Sequence, residues 1–273
     1  PWFSQFTGGF GYFGENHFAI PGMREDVQKF QRAGMGVMFY SNTLMVNEKF
    51  DRDVKPYLDE LLKVPSRMAY GRARDVSLAS PVGDYYIYEW KKNIDYYGIT
   101  AMHMDNTINC RSRDKSVGNG MGWFDKRGTL RGSWPIFAAR ETAKRWRWLF
   151  HVYLPDKRGV DGFLALHAGA RHFPSVAGFV DCTRSGEGFV GEDWRRMPDP
   201  ESYPAGRDFQ WRTGIPHQIL TKGDKHRFGP NYLYMYAMLY DMTLRMDGNL
   251  MKPHWWHVSP ERDEPRSSYR TNR

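Results

Sequence analysis

A chain of 273 residues, 41% apolar and 26% charged, fits one large α/β domain or two small ones and is long enough to bury a substantial core. No apolar run reaches membrane-spanning length, so no membrane partner is expected. The formal charge of +8 points to an acidic partner, but Lys and Arg are interleaved with Asp and Glu and no basic run or nucleic-acid motif stands out, which argues against nucleic acid.

The chain begins at Pro1 with neither an initiator Met nor a signal-peptide pattern, so its true amino terminus is expected upstream. Residues 2–6 read as a first strand, followed by a glycine-rich loop. Residues 24–33 form a helix closed by Gly34, and residues 36–40 a second strand ending at Ser41, Asn42 and Thr43. A helix over 56–63, a third strand over 66–70 and a loop over 71–83 come next. Asp84 is placed to cap a helix over 85–97, whose buried face carries Ile87, Trp90, Ile94 and Tyr97.

Residues 99–104 then form a buried strand without strict apolar alternation, as in parallel sheets covered on both faces. The two-residue period puts His103 and Asp105 on one face and Met102 and Met104 on the other. In β/α barrels the chemistry lies on the loops after the strands, which makes Asp105 and Asn106 site candidates. The plainer alternative is that they form a turn or cap. After Asp105 a long segment over 106–133 holds five glycines, Trp123 and Phe124, and is expected to be a lid rather than a structured element.

A helix is expected from Trp134 and Pro135 to about Val152. Ile136, Ala139, Ala143, Trp146 and Phe150 form its buried stripe, while Arg140, Lys144, Arg145 and Arg147 form a solvated face or part of an acid-binding surface. Residues 163–166 form a fifth strand with His167 at its end, and 178–181 a sixth, followed by Ser185, Gly186, Glu187 and Gly188. A short helix over 208–212, a seventh strand over 217–220, a Tyr- and Met-rich helix over 231–246 and an eighth strand over 255–258 complete the reading. Cys110 and Cys182 are too few for a zinc site and are expected as two thiols, with a disulfide the alternative.

Strand and helix alternate roughly seven times, which predicts an α/β fold with a parallel sheet, TIM-barrel-like (β/α)8 in kind. The absent final helix suggests an incomplete or excised barrel over 1–258, with a polar tail or truncated linker over 259–273 and further domains in a larger chain.

Several motifs recur in order. They are Tyr97–Gly98–Ile99 leading to Asp105–Asn106–Thr107, then Trp134–Pro135–Ile136–Phe137–Ala138 with Arg140–Glu141. His167, Gly186–Glu187 and Gly214–Ile215–Pro216 follow them. With these motifs, residues 84–245 resemble a group of glycoside-hydrolase-like barrels near glycoside hydrolase family 123, whose known members are β-N-acetylgalactosaminidases. The resemblance implies a barrel that hydrolyses or binds glycans, in extracellular or periplasmic proteins. The characterised members use an adjacent Asp–Glu pair with help from the substrate's acetamido group. Here Asn106 follows Asp105, so that mechanism does not carry over intact, and Ser185 stands where an acidic residue is expected.

Glycoside hydrolysis ordinarily needs two carboxyl groups about the scissile bond, and Asp105 and Glu187 are the candidate pair, with Glu192 and Asp193 in reserve. His103, His167, Trp123, Asn106 and Arg184 are the candidate substrate-binding residues; each His is equally readable as a core histidine. A metal site from His103, His167, Asp105 and His172 lacks a tight ligand motif, so neither metal nor cofactor is expected. Arg111, Arg113, Lys115, Lys126, Arg127 and Arg131 on the expected lid suggest an anionic glycan, sulfated or uronic, set against a generic basic surface.

Overall fold

The computed structural model describes residues 2–3, 22–43, 45–47, 68–69, 73–75, 78–79, 81–105, 122–132, 135–167, 173–185, 212–221 and 243–246. Its main sheet runs in the order β1 (Trp2–Phe3), β2 (Met38–Asn42), β6 (Ala101–Asp105), β9 (Phe163–His167), β10 (Cys182–Ser185), β11 (His217–Thr221) and β12 (Thr243–Met246). Each neighbouring pair is parallel. The expectation of an α/β parallel sheet therefore holds.

Helices cover one face of this sheet. Phe39, Met102, Met104, Leu164 and Leu166 alternate along β2, β6 and β9 onto that face and join one buried apolar cluster. Met23 and Val27 of α1 (Met23–Arg32), Trp90, Ile94 and Tyr97 of α2 (Val82–Tyr97), and Ala139, Ala143 and Trp146 of α3 (Ile136–Trp148) supply the rest. Burying a side chain such as Phe39, Ile94 or Met102 is worth roughly 1.5–3 kcal/mol each, so this face carries much of the folding energy.

Local chemistry sets the helix ends. Gly98 ends α2 at φ 71, a conformation that strains any residue with a Cβ, and its N–H bonds back to the Ile94 carbonyl. Arg158 Nη2 donates to the carbonyls of Ile94 at 3.2 Å and Asp95 at 2.8 Å, satisfying the last turn of α2 from outside. The helix expected to stop near Val152 runs further. A π-helical turn, Leu149–Tyr153, follows α3 and leads into α4 (Leu154–Arg158). Pro155 lacks the N–H that would reach the carbonyl of residue 151 and crowds that carbonyl, and the wider turn relieves both problems.

Several boundaries differ from the sequence reading. Asp84 is not a cap: α2 starts at Val82 after Pro81, and the Asp84 carboxylate sits in the first turn, paired with Arg145. A carboxylate there also complements the positive end of the helix dipole. The sixth strand is not 178–181, which follows the short helix α5 (Pro174–Ala177) as a turn, but β10. The expected third strand shrinks to β4 (Met68–Ala69), which pairs antiparallel with β5 (Ala73–Asp75). Together with β3 (Met45–Asn47) these form a separate sheet, so the region read as strand and loop lies outside the parallel sheet.

Residues 243–246, read as the end of a helix, form β12. The free edge of β11 needs partners for its backbone groups, and that requirement outweighs the helical pattern. The expected lid contains a hairpin, β7 (Gly122–Phe124) paired with β8 (Leu130–Gly132). Asp125 holds its turn by accepting from the backbone N–H of Arg127 and Thr129 and from Arg131 Nε. The expected elements over 56–63 and 255–258 and the polar tail lie outside the described residues.

The basic face of α3 proves to be a set of ion pairs. Arg140 and Lys144 pair with Glu141, Arg145 with Asp84, and Arg147 reaches Asp181 at 3.5 Å. Asp181 also accepts from the N–H of Leu164 and contacts His151 Nε2, bracing the start of β9 against the π-helical turn.

Candidate active site at the carboxyl ends of the strands

The sheet face turned away from the helices carries the polar residues. On β6 it presents His103 and Asp105, as the two-residue period predicts, while Met102 and Met104 join the apolar cluster behind. Register aligns the neighbours. Asn42 lies opposite Asp105, and Tyr40 opposite His103. One residue beyond the Met104–Leu166 pair, His167 comes level with Asp105, and Arg184 pairs with His167 in turn. The row continues along the backbone through Gln218 to Thr243. Asn42, Asp105 and His167 close β2, β6 and β9, and Arg184 is next to last in β10, so this part of the row lies at the carboxyl ends, where a parallel α/β fold keeps its sites.

Asp105 is the centre of the cluster, only 6% exposed. Tyr40 donates its hydroxyl hydrogen to Oδ2, and His167 Nδ1 lies 2.6 Å from Oδ1. An ionised carboxylate is acceptor-only, and both contacts are of the kind it makes. The backbone is fixed as well: the Asp105 carbonyl accepts from Thr43 N at 3.1 Å and Thr43 Oγ1 at 3.3 Å. His103 stands edge-on to both partners, with ring centroids 5.4 Å from Tyr40 and 6.1 Å from His167. The result is a carboxylate whose two oxygens and backbone are held in a defined direction. Such a group can serve as a nucleophile or as a stabiliser of positive charge.

Arg184, three residues beyond the expected sixth strand, lies inside β10 and is 4% exposed. Burial pulls its guanidinium below the ordinary arginine value, and the nearby Cys182 thiol partly opposes this. Cys182 is buried, its Sγ donating to the Thr183 carbonyl at 3.2 Å; Cys110 lies outside the described residues.

The structure thus brings together His103, Asp105, His167 and Arg184 from the sequence reading. Trp123 lies on β7 and is 55% exposed. Asn106, Glu187, His172, Glu192 and Asp193 lie outside the described residues. Tyr40 and Thr43, which contact Asp105, are cluster residues that sequence reasoning did not single out. The available signal was parity, because Tyr40 occupies the same face of its strand as His103 does on β6. Among the described residues, no group of three or more His, Cys, Asp or Glu side chains is placed to hold a metal ion. No described helix is long and apolar enough to cross a membrane.

No protein-family model matches the chain, and no curated protein matches it. Solved structures do. The glycoside hydrolase domain of PelA from Pseudomonas aeruginosa is similar over 87% of this chain and 92% of that one, with TM-score 0.55 and 11% identity. The GH36 α-galactosidase AgaA from Geobacillus stearothermophilus is similar over 94% of this chain and 36% of its own, with TM-score 0.55 and 11% identity. The maltogenic α-amylase AmyB from Thermotoga neapolitana is similar over 82% of this chain and 49% of its own, with TM-score 0.50 and 13% identity. At such identities the likeness is one of fold, and the fold of this chain is glycoside-hydrolase-like.

Proposed function

We propose that the chain is a glycosidase that cleaves a glycosidic bond in a poly- or oligosaccharide with the carboxylate pair Asp105 and Glu187. The observation that carries the reading is the Asp105 carboxylate at the end of β6, gripped by Tyr40 and His167 within a row of polar residues across the sheet. The fold likeness to glycoside hydrolases supports it, as does the family 123 resemblance of the motifs. In this reading the parallel sheet closes into a (β/α)8 barrel in an extracellular or periplasmic protein of more than one domain.

The roles follow from placement. Asp105 closes a rigid strand and acts ionised, as nucleophile or charge stabiliser, with His167 and Tyr40 as positioning residues. Glu187 follows β10 between two glycines, where closure over a substrate desolvates it and raises its affinity for a proton, as a general acid requires. Carboxyl groups about 5–5.5 Å apart give a retaining double displacement, and about 6.5–9.5 Å leaves room for water and gives inversion. Because Asn106 follows Asp105, the acetamido-assisted route of family 123 is not assigned to this chain.

The deciding experiment is turnover on a glycan panel by the wild type and Glu187→Gln. Cleavage that falls by orders of magnitude in the variant supports the pair, and near wild-type cleavage removes Glu187 and moves the test to Glu192 and Asp193. A second reading, a glycan-binding barrel without catalysis, draws on one observation. Both oxygens of Asp105 are already engaged by protein donors. Tight glycan binding by calorimetry with no turnover on any substrate would favour it.

A further inference from the structure

Arg184 is the residue the site leaves unexplained. It is 4% exposed, and its Nε and Nη1 are buried with no hydrogen-bond partner among the described residues. No carboxylate among the described residues pairs with it. Its described neighbour is the Cys182 thiol, a weak acceptor two residues earlier on the same face of β10. Asp105 is held by Tyr40 and His167, and His167 lies between Asp105 and Arg184 in the row.

A buried guanidinium without an anion is costly, and arginine's planar fork matches carboxylate and sulfate oxygens in pairs. The position is telling as well. Arg184 is in register with His167, on the face that presents Asp105, so an anion on Arg184 belongs to the sugar bound at Asp105 or to its immediate neighbour. The hairpin cations offer less: Arg131 is engaged by Asp125, and Lys126 and Arg127 sit on an exposed turn.

We propose that Arg184 binds the anionic group of an acidic sugar, a uronate carboxylate or a sulfate ester, and so makes this site selective for anionic glycans. The inference rests on the glycan reading of the Asp105 site and adds the substrate class. It also moves the source of selectivity from surface charge to one buried side chain. Attraction to a surface fades with salt, whereas a buried Arg–anion pair is screened little.

The test is calorimetric titration of the full chain with three matched oligosaccharides, uronate-containing, sulfated and neutral, at low and high salt. Arg184→Gln and Arg184→Lys are titrated alongside, with circular dichroism to confirm folding. The wild type should prefer one or both acidic sugars over the neutral one, and the preference should survive high salt. Arg184→Gln should reduce the acidic-to-neutral affinity ratio on the order of 100-fold. Arg184→Lys, which keeps the charge and loses the planar fork, should reduce it less, and it carries the test if the Gln variant does not fold. The acidic arms identify the anion, because the favoured sugar names carboxylate or sulfate. Equal affinity for all three sugars, a preference that vanishes at high salt, or an unchanged ratio in both variants would overturn the proposal. Binding and cleavage of the neutral sugar alone would leave the glycosidase reading standing while this inference falls. Failure to bind or cleave any sugar would defeat both.

Discussion

Replacing Asp105 separates its structural part from its chemical one. Two donors converge on the carboxylate, Tyr40 Oη on Oδ2 and His167 Nδ1 on Oδ1. Asp105→Asn keeps the shape and one acceptor oxygen, which Tyr40 retains. The new amide N–H2 faces His167 Nδ1, and a neutral imidazole accepts it by moving its own proton to Nε2. The variant therefore keeps both contacts and loses only their charge assistance, a cost of about 1–2 kcal/mol in urea unfolding. Asp105→Ala differs, because it strands two buried donors at about 1–3 kcal/mol each. The summed loss of roughly 2–6 kcal/mol approaches the 5–15 kcal/mol that stabilises a typical domain. Turnover has the opposite pattern: both variants should lose it, about 10³-fold or more if the carboxylate reacts or stabilises charge. The assays are urea unfolding followed by tryptophan fluorescence and initial rates on whichever glycan the wild type cleaves. Near wild-type turnover in Asp105→Asn would refute the assignment. Equal stability of the Asn and Ala variants would refute the geometry.

Three further outcomes follow from the same structure. Tyr40→Phe keeps the ring beside His103 and removes the hydroxyl, so unfolding should register a loss of about 1.5–3 kcal/mol, the worth of a hydrogen bond to a charged group; an unchanged midpoint would show that Tyr40 does not hold Asp105. Gly162→Ala places a Cβ 2.1 Å from the Phe150 carbonyl oxygen, which is backbone and cannot swing away. Overpacking there should cost about 1–3 kcal/mol or more and lower the thermal midpoint, whereas Gly159→Ala meets no atom within 4 Å and pays only for its φ of 67. Burial pushes the Asp95 carboxylate up, but hydrogen bonds from Lys91 and Tyr153 outweigh it and hold its pKa below the ordinary 3.8. A lowered carboxylate pKa contributes stability that is present above 3.8 and is lost as pH falls through the folded value, so Asp95→Asn should flatten the acid limb of the stability–pH curve; an identical limb would remove Asp95 from it.

Features that depend on neighbours along the chain were legible without any structure. Gly34 and Gly98 closed their helices because only glycine takes those positive φ values cheaply, and the spacing of Trp90, Ile94 and Tyr97 named the buried stripe of α2. The period of two sorted His103 and Asp105 from Met102 and Met104 before any partner was known. Parity gives a face, however, and never a partner. That residues 68–69 join an antiparallel sheet, and that 243–246 leave a helical pattern to cover the edge of β11, was decided by backbone hydrogen bonds between distant segments. The site follows the same division. Asp105 was legible as a strand-end carboxylate. Its hydroxyl donor stands 65 positions earlier, and its imidazole 62 positions later. The sixth strand begins at Cys182 rather than ending at Asp181, which puts Arg184 in the row beside His167. Only strand pairing sets which residues come level across a sheet, and no local pattern records it.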